Sequence, residues 1–173
     1  MKSKSSVKLY NLIFPIWLLW LIPLTWFVVL PANFLVDTLV VILTMKALKI
    51  SNIKVYYKKI IWKVWGFGFL ADFIGTIAMF VPNLIDFDYN GDMGRWWYDN
   101  LSNPVSYHPY TSVYAVLWIS LCVLLTAFLI YLFNYKISFR KLDMEDQYKQ
   151  KIALSIAIFT APYLFFLPTN WFY

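Results

Sequence analysis

The stretch YTSVYAVLWISLCVLLTAFLIYLF, residues 110–133, contains no charged residue, and its reading decides the class of fold. A helix needs about 20 predominantly apolar residues to cross the roughly 30 Å hydrocarbon core of a bilayer. Residues 110–133 exceed that length without interruption. Working outward, similar runs occupy 61–81 on the N-terminal side and 152–170 on the C-terminal side, and 12–30 and 34–50 lie nearer the start. The chain of 173 residues is 61% hydrophobic and 14% charged, whereas soluble domains are about 25% charged. The pattern predicts an all-α integral membrane protein: one domain over 1–173, a bundle of about five transmembrane helices. The tripeptide Pro31-Ala32-Asn33 is read as a tight connector that reverses the chain between the first two spans. The run 12–30 follows a basic N-terminus as a signal peptide would, but its apolar part is too long and no convincing small-residue cleavage site follows it. A re-entrant hairpin is the alternative for 34–50, the shortest of the runs.

The net charge of +6 could suggest a nucleic-acid partner until the charges are placed along the chain. Fourteen of the 15 lysines and arginines precede the first run, lie between the second and third, or lie between the fourth and fifth. The remaining one, Arg95, shares its loop with Asp86, Asp88, Asp92 and Asp99. Basic residues concentrate in cytoplasmic loops. The expected orientation therefore has the N-terminus and the loops 51–60 and 134–151 in the cytosol, and the loop 82–109 and the C-terminus outside. Basicity is accounted for by topology, so nucleic acid is not an expected partner; the lipid bilayer is, with the basic loops drawn to anionic inner-leaflet lipid. The predominance of Lys over Arg, and of Ile, Asn, Phe and Tyr, fits a bacterial plasma-membrane protein. Trp96, Trp97, Tyr98, Tyr107, Tyr110, Trp171 and Tyr173 are expected to form an outer interfacial aromatic belt.

Two constellations carry chemistry. Asp37 and Asp72 fall inside apolar runs, where an ionisable residue normally faces the bundle interior or a water-filled cavity. Asp72 sits near the middle of 61–81, with Gly68, Ala71 and Gly75 on neighbouring positions that let another helix approach closely. Asp37 shares a face with Asn33, and Thr76 lies one turn from Asp72. The functional reading is a proton or cation site built from Asp72, Asp37, Asn33 and Thr76; the structural one is a hydrogen-bonded tie between helices. With the second span starting at residue 34, Asp37 would lie only about 5 Å below the connector, and the two carboxylates would differ in depth by roughly 9 Å, at ~1.5 Å per residue.

The second constellation is Asp86-Phe87-Asp88-Tyr89-Asn90-Gly91-Asp92, which matches the opening of a calcium loop, with oxygen ligands at alternate positions and a glycine at the turn. Its twelfth position is Trp97 instead of the required glutamate, so a shell would need Asp92 or Asp99 to close it. The readings are a solvated acidic turn, or a calcium site of Asp86, Asp88, Asn90, Asp92 and Asp99 with an affinity near ~10⁻⁴–10⁻³ M.

Cys122 is the sole cysteine and His108 the sole histidine. No nucleophile with its base and oxyanion stabiliser can be assembled from the chain, which argues against an enzyme. No other cofactor is expected. The sequence points first to a non-catalytic membrane subunit or accessory protein that packs on another membrane protein or on its own copies through the small-residue face around Asp72 or through the aromatic outer loop. The alternative is a small transport component with its site at Asp72 and Asp37.

Overall fold

The computed structural model describes residues 23–171, and these residues form helices and turns without strands. Helix α1 spans Pro23–Ala47, α2 Ile53–Leu84, α3 Asp92–Trp97, α4 Asn103–Tyr107, α5 Val113–Phe133 and α6 Asp146–Phe159. A wider helical turn, Tyr98–Ser102, joins α3 to α4, and another, Asn134–Ser138, extends α5. Three stretches, Leu24–Ala47, Ile53–Leu84 and Val113–Ser138, are long and apolar enough to cross a membrane. The four longest helices close into a ring in which α2 packs between α1 and α5, and α6 between α5 and α1.

α5 shows what kind of solvent this ring suits. It buries Ala115, Ile119, Cys122, Thr126 and Ile130, and exposes Leu117, Leu121, Leu124 and Phe128. Small, polar and β-branched residues face the protein, while leucine and phenylalanine side chains face out. Hydrocarbon accepts such a surface, whereas water penalises contiguous apolar patches of this size.

Pro31-Ala32-Asn33 does not reverse the chain as the sequence suggested. α1 runs through all three residues, and Pro31 lies inside it. A proline removes one i→i−4 hydrogen bond, and packing against α2 holds the helix together there: Trp65 Nε1 donates to the Leu30 carbonyl at 3.1 Å, and Phe34 packs on the rings of Trp62 and Trp65. The part of the expected first span before residue 23 lies outside the described residues, as does Tyr173 of the aromatic belt.

The actual reversal comes at 48–52. Ile50 N donates to the Met45 carbonyl and Lys49 N to the Lys46 carbonyl, and Lys49 has a φ of 54°. These bonds around one left-handed residue form a Schellman motif, which satisfies the orphaned carbonyls at the end of a helix. Asn52, with φ 59°, then turns the chain into α2. α2 thus begins eight residues before the expected 61.

The loop joining α1 to α2 and the segment leading into α6 meet at one end of the ring, where Tyr56 Oη donates to the Asp143 carbonyl at 2.8 Å. The opposite end carries the segment expected as an outer loop, and most of it is helical. α3 and α4 pack on the last turns of α2: Trp97 Nε1 donates to the Pro82 carbonyl at 3.0 Å, and Ser102 and Ser106 both donate to Asn83 Oδ1. Two buried clusters fill the ring, one around Met45, Ile60, Phe139 and Ile152 near the basic end and one around Met79, Val105, Ile119 and Phe165 near the other.

Candidate functional site

Asp37 lies well inside α1, which is already helical at Pro23, the first described residue. At ~1.5 Å per residue, about 21 Å of described helix precedes it. The depth expected for Asp37 came from placing the connector at 31–33, and it changes once that connector is absorbed into the helix. Asp37 and Asp72 are each 6% exposed. A Cβ added to Gly68 would stand 3.6 Å from Asp37 Oδ2, so the Asp37 carboxyl lies over α2 one turn from Asp72. Both carboxylates line a single cavity of about 150 Å³.

The glycines explain how the helices come this close. At Gly68 there is no side chain to hold α1 away from α2. At Gly75 an added Cβ would overlap the Thr126 hydroxyl of α5 and sit 3.3 Å from the Phe165 ring. The small-residue face of α2 is therefore occupied by α1, α5 and the C-terminal segment of the same chain.

Asn33 lines the cavity with the two aspartates, as the sequence suggested, but Thr76 does not. The Thr76 hydroxyl donates to the Asp72 backbone carbonyl at 2.9 Å, a local bond that keeps it on its own helix. Thr38, another conceivable partner, pairs with Tyr57 Oη at 3.2 Å. Asp72 Oδ1 is fully buried and has no hydrogen-bond partner among the described residues. Among the described residues, no lysine, arginine or histidine lines the cavity.

The remaining wall was not anticipated. The run 152–170 was expected to be one span, but α6 stops at Phe159, and Thr160, Ala161, Pro162 and Leu164 complete the cavity. Thr160 satisfies the helix end by donating both its N–H and its hydroxyl to the Ile156 carbonyl, at 2.9 and 2.8 Å. Pro162, at φ −77° and ψ 65°, centres an inverse γ-turn closed by Tyr163 N donating to the Ala161 carbonyl at 2.7 Å. Proline has no N–H to donate to the carbonyl four residues earlier. Tyr163 Oη takes that role, donating to the Ile158 carbonyl at 2.7 Å. Pro162 within an apolar run was the visible signal for this break, because proline interrupts a helix and disfavours helical backbone in the residue before it.

The acidic loop gathers no comparable site. Asp86 accepts from Tyr98 Oη at 2.8 Å, which raises the tyrosine pKa chiefly through that hydrogen bond. Asp88 Oδ1 accepts from the backbone and side-chain nitrogens of Asn90, and Asp92 pairs with Arg95 at 2.8 Å. Among the described residues no three His, Cys, Asp or Glu side chains converge as a metal site. Of the expected calcium set, Asp86, Asp88, Asn90 and Asp92 are thus engaged in local turns and pairs. Gly94, not Gly91, holds the tight approach here: a Cβ at Gly94 would overlap the Asp88 carbonyl oxygen. Cys122 is buried in α5, unpaired.

Fold and cavity together define a class: a helical protein with three helices apolar enough to cross a membrane and two buried carboxylates facing an interrupted helix. No protein-family model matches the chain, and no curated protein or solved structure matches it either.

Proposed function

We propose that this chain is a small multi-pass protein of a bacterial plasma membrane and that Asp37 and Asp72 form a proton or cation site used in transport. The observation that carries the reading is the shared cavity: two buried carboxylates, one with an unpartnered oxygen, beside the broken end of α6. A carboxylate near the bilayer centre costs at least ~2.5–3.5 kcal/mol on insertion scales. A tie between helices would offset that cost with hydrogen bonds, and Asp72 Oδ1 has none. Irregular backbone at membrane depth is tolerated where it lines a cavity, and broken helices beside ion sites recur in transporters.

The chemistry follows from charge. Two ionised carboxylates in one apolar cavity repel each other, and no basic side chain in the lining offsets them, so the site gains from taking up a proton or a small cation. A volume of about 150 Å³ holds several waters, which is enough for a partly hydrated ion. Asn33 and Thr160 add neutral oxygens to the same wall.

The accessory-subunit reading offers two docking surfaces: the small-residue face of α2, which is packed on from within the chain at Gly68 and Gly75, and the aromatic outer segment. Reconstitution separates the two readings. Purified wild type, Asp72→Asn and Asp37→Asn are placed in liposomes carrying a pH-sensitive dye, with a cation gradient imposed. The expected outcome is wild-type flux that falls at least about tenfold in Asp72→Asn, with an unchanged elution profile in mild detergent. Equal flux in wild type and Asp72→Asn, or wild-type liposomes that behave as empty ones, overturns the transport reading.

A further inference from the structure

A groove of about 540 Å³ runs between α1 and α6, separate from the carboxylate site except for Phe159, which lines both. Its lining is almost wholly apolar, with Val40, Leu43, Leu48, Leu154 and Phe159 along it. Lys151 stands at one end, and about 12 Å of α6 separates it from Phe159 at ~1.5 Å per residue. Among the described residues, no carboxylate lies within ion-pair distance of Lys151; Asp146, an acid on the same helix, instead accepts bonds from Tyr135 and Gln150. Exposed Lys46, in the last turn of α1, adds a second cation at the same end.

The molecule contains its own comparison. A second groove, of about 400 Å³, lies between α5 and α6, lined by Val123, Phe128, Ile158 and Tyr163 among others, without a charged residue. Hydrocarbon alone suffices to fill that one. The α1–α6 groove pairs an apolar trough with a cation at its basic end, which is the complement of an acyl chain carrying an anionic head.

We propose that the α1–α6 groove binds one anionic glycerophospholipid, with an acyl chain lying toward Phe159 and the phosphate on Lys151. Basic residues near a membrane surface attract anionic headgroups, and apolar troughs bind chains by the area they bury. The site needs the bilayer location but not the transport reading, so either can fail alone.

The test is native mass spectrometry of the full chain titrated with phosphatidylglycerol or with phosphatidylcholine of identical chains. Wild type is expected to hold one phosphatidylglycerol in preference to phosphatidylcholine. Lys151→Ala is expected to weaken phosphatidylglycerol about fivefold and leave phosphatidylcholine unchanged, while Lys54→Ala changes neither. A photo-crosslinker at Leu43 is expected to capture phosphatidylglycerol preferentially, and one at Phe128 to capture both lipids equally. Equal affinity for the two lipids in wild type, equal effects of Lys151→Ala and Lys54→Ala, or occupation of the groove by a second copy or another protein overturns the proposal.

Discussion

Two glycines of α2 carry opposite obligations although the chain spells them alike. A Cβ at Gly75 would overlap the Thr126 hydroxyl, and Thr126 is itself fixed by donating to the Cys122 carbonyl at 2.9 Å. A Cβ at Gly66 meets nothing within 4 Å. Gly75→Ala is therefore expected to destabilise the fold by about 1–3 kcal/mol, the usual cost of overpacking. Gly66→Ala is expected to stabilise it by about 0.5–1 kcal/mol, because glycine in a helix loses more conformational freedom than alanine. Thermal unfolding in one detergent measures both. A stabilising shift for Gly75→Ala would mean that the α2–α5 crossing is looser than the Gly75–Thr126 approach implies. At this scale the sequence was informative about type but not about duty: it marked the small face around Asp72, yet which glycine meets which helix depends on crossing points that no local pattern encodes.

At the scale of the element, α6 shows how an interruption is built from compatible local bonds. Pro162 strips the Ile158 carbonyl of its helical donor, and the Tyr163 hydroxyl replaces it. Tyr163→Phe should leave that carbonyl without the hydroxyl, at a cost of about 1 kcal/mol. For a chain of this size the loss corresponds to roughly 2–4 °C in melting temperature. The same substitution made on Pro162→Ala should cost less, since an alanine N–H can serve the carbonyl instead, and the two changes would then be non-additive. Additive effects would show that the hydroxyl contributes nothing to the break. α1 teaches the converse lesson. Its Pro31 looked like a turn but lies within a helix, because Trp65 and Phe34 supply tertiary contacts that the tripeptide does not reveal. That one misreading displaced Asp37 toward the surface and separated it from Asp72. Hydrophobic runs and buried carboxylates were legible from composition. Whether a proline ends, bends or merely occupies a helix was not, since neighbouring elements decide it.

At the scale of the whole molecule, the distribution of charge and the course of the chain agree. The Tyr56–Asp143 contact draws the loops after α1 and after α5 to one end, and the acidic segment around Asp86–Asp92 caps the other. If positive charge sets orientation, the first end is cytosolic in the proposed plasma membrane. Cys122 is buried and is the sole cysteine, so a Cys122→Ala background permits single reporters at defined places. Asn90→Cys, on the acidic turn, is expected to react in intact cells with a membrane-impermeant maleimide. Ser51→Cys and Met144→Cys, on the two loops at the basic end, are expected to react only after the cells are broken. Labelling of Ser51→Cys alone in intact cells would place the α1–α2 turn outside and revive a re-entrant course for 34–50. Labelling of both basic-end reporters with protection of Asn90→Cys would invert the orientation. Inversion would also reverse the side from which an ion or an anionic lipid reaches its site, whereas the expected pattern puts Lys151 at the inner leaflet and the carboxylate cavity between the two surfaces.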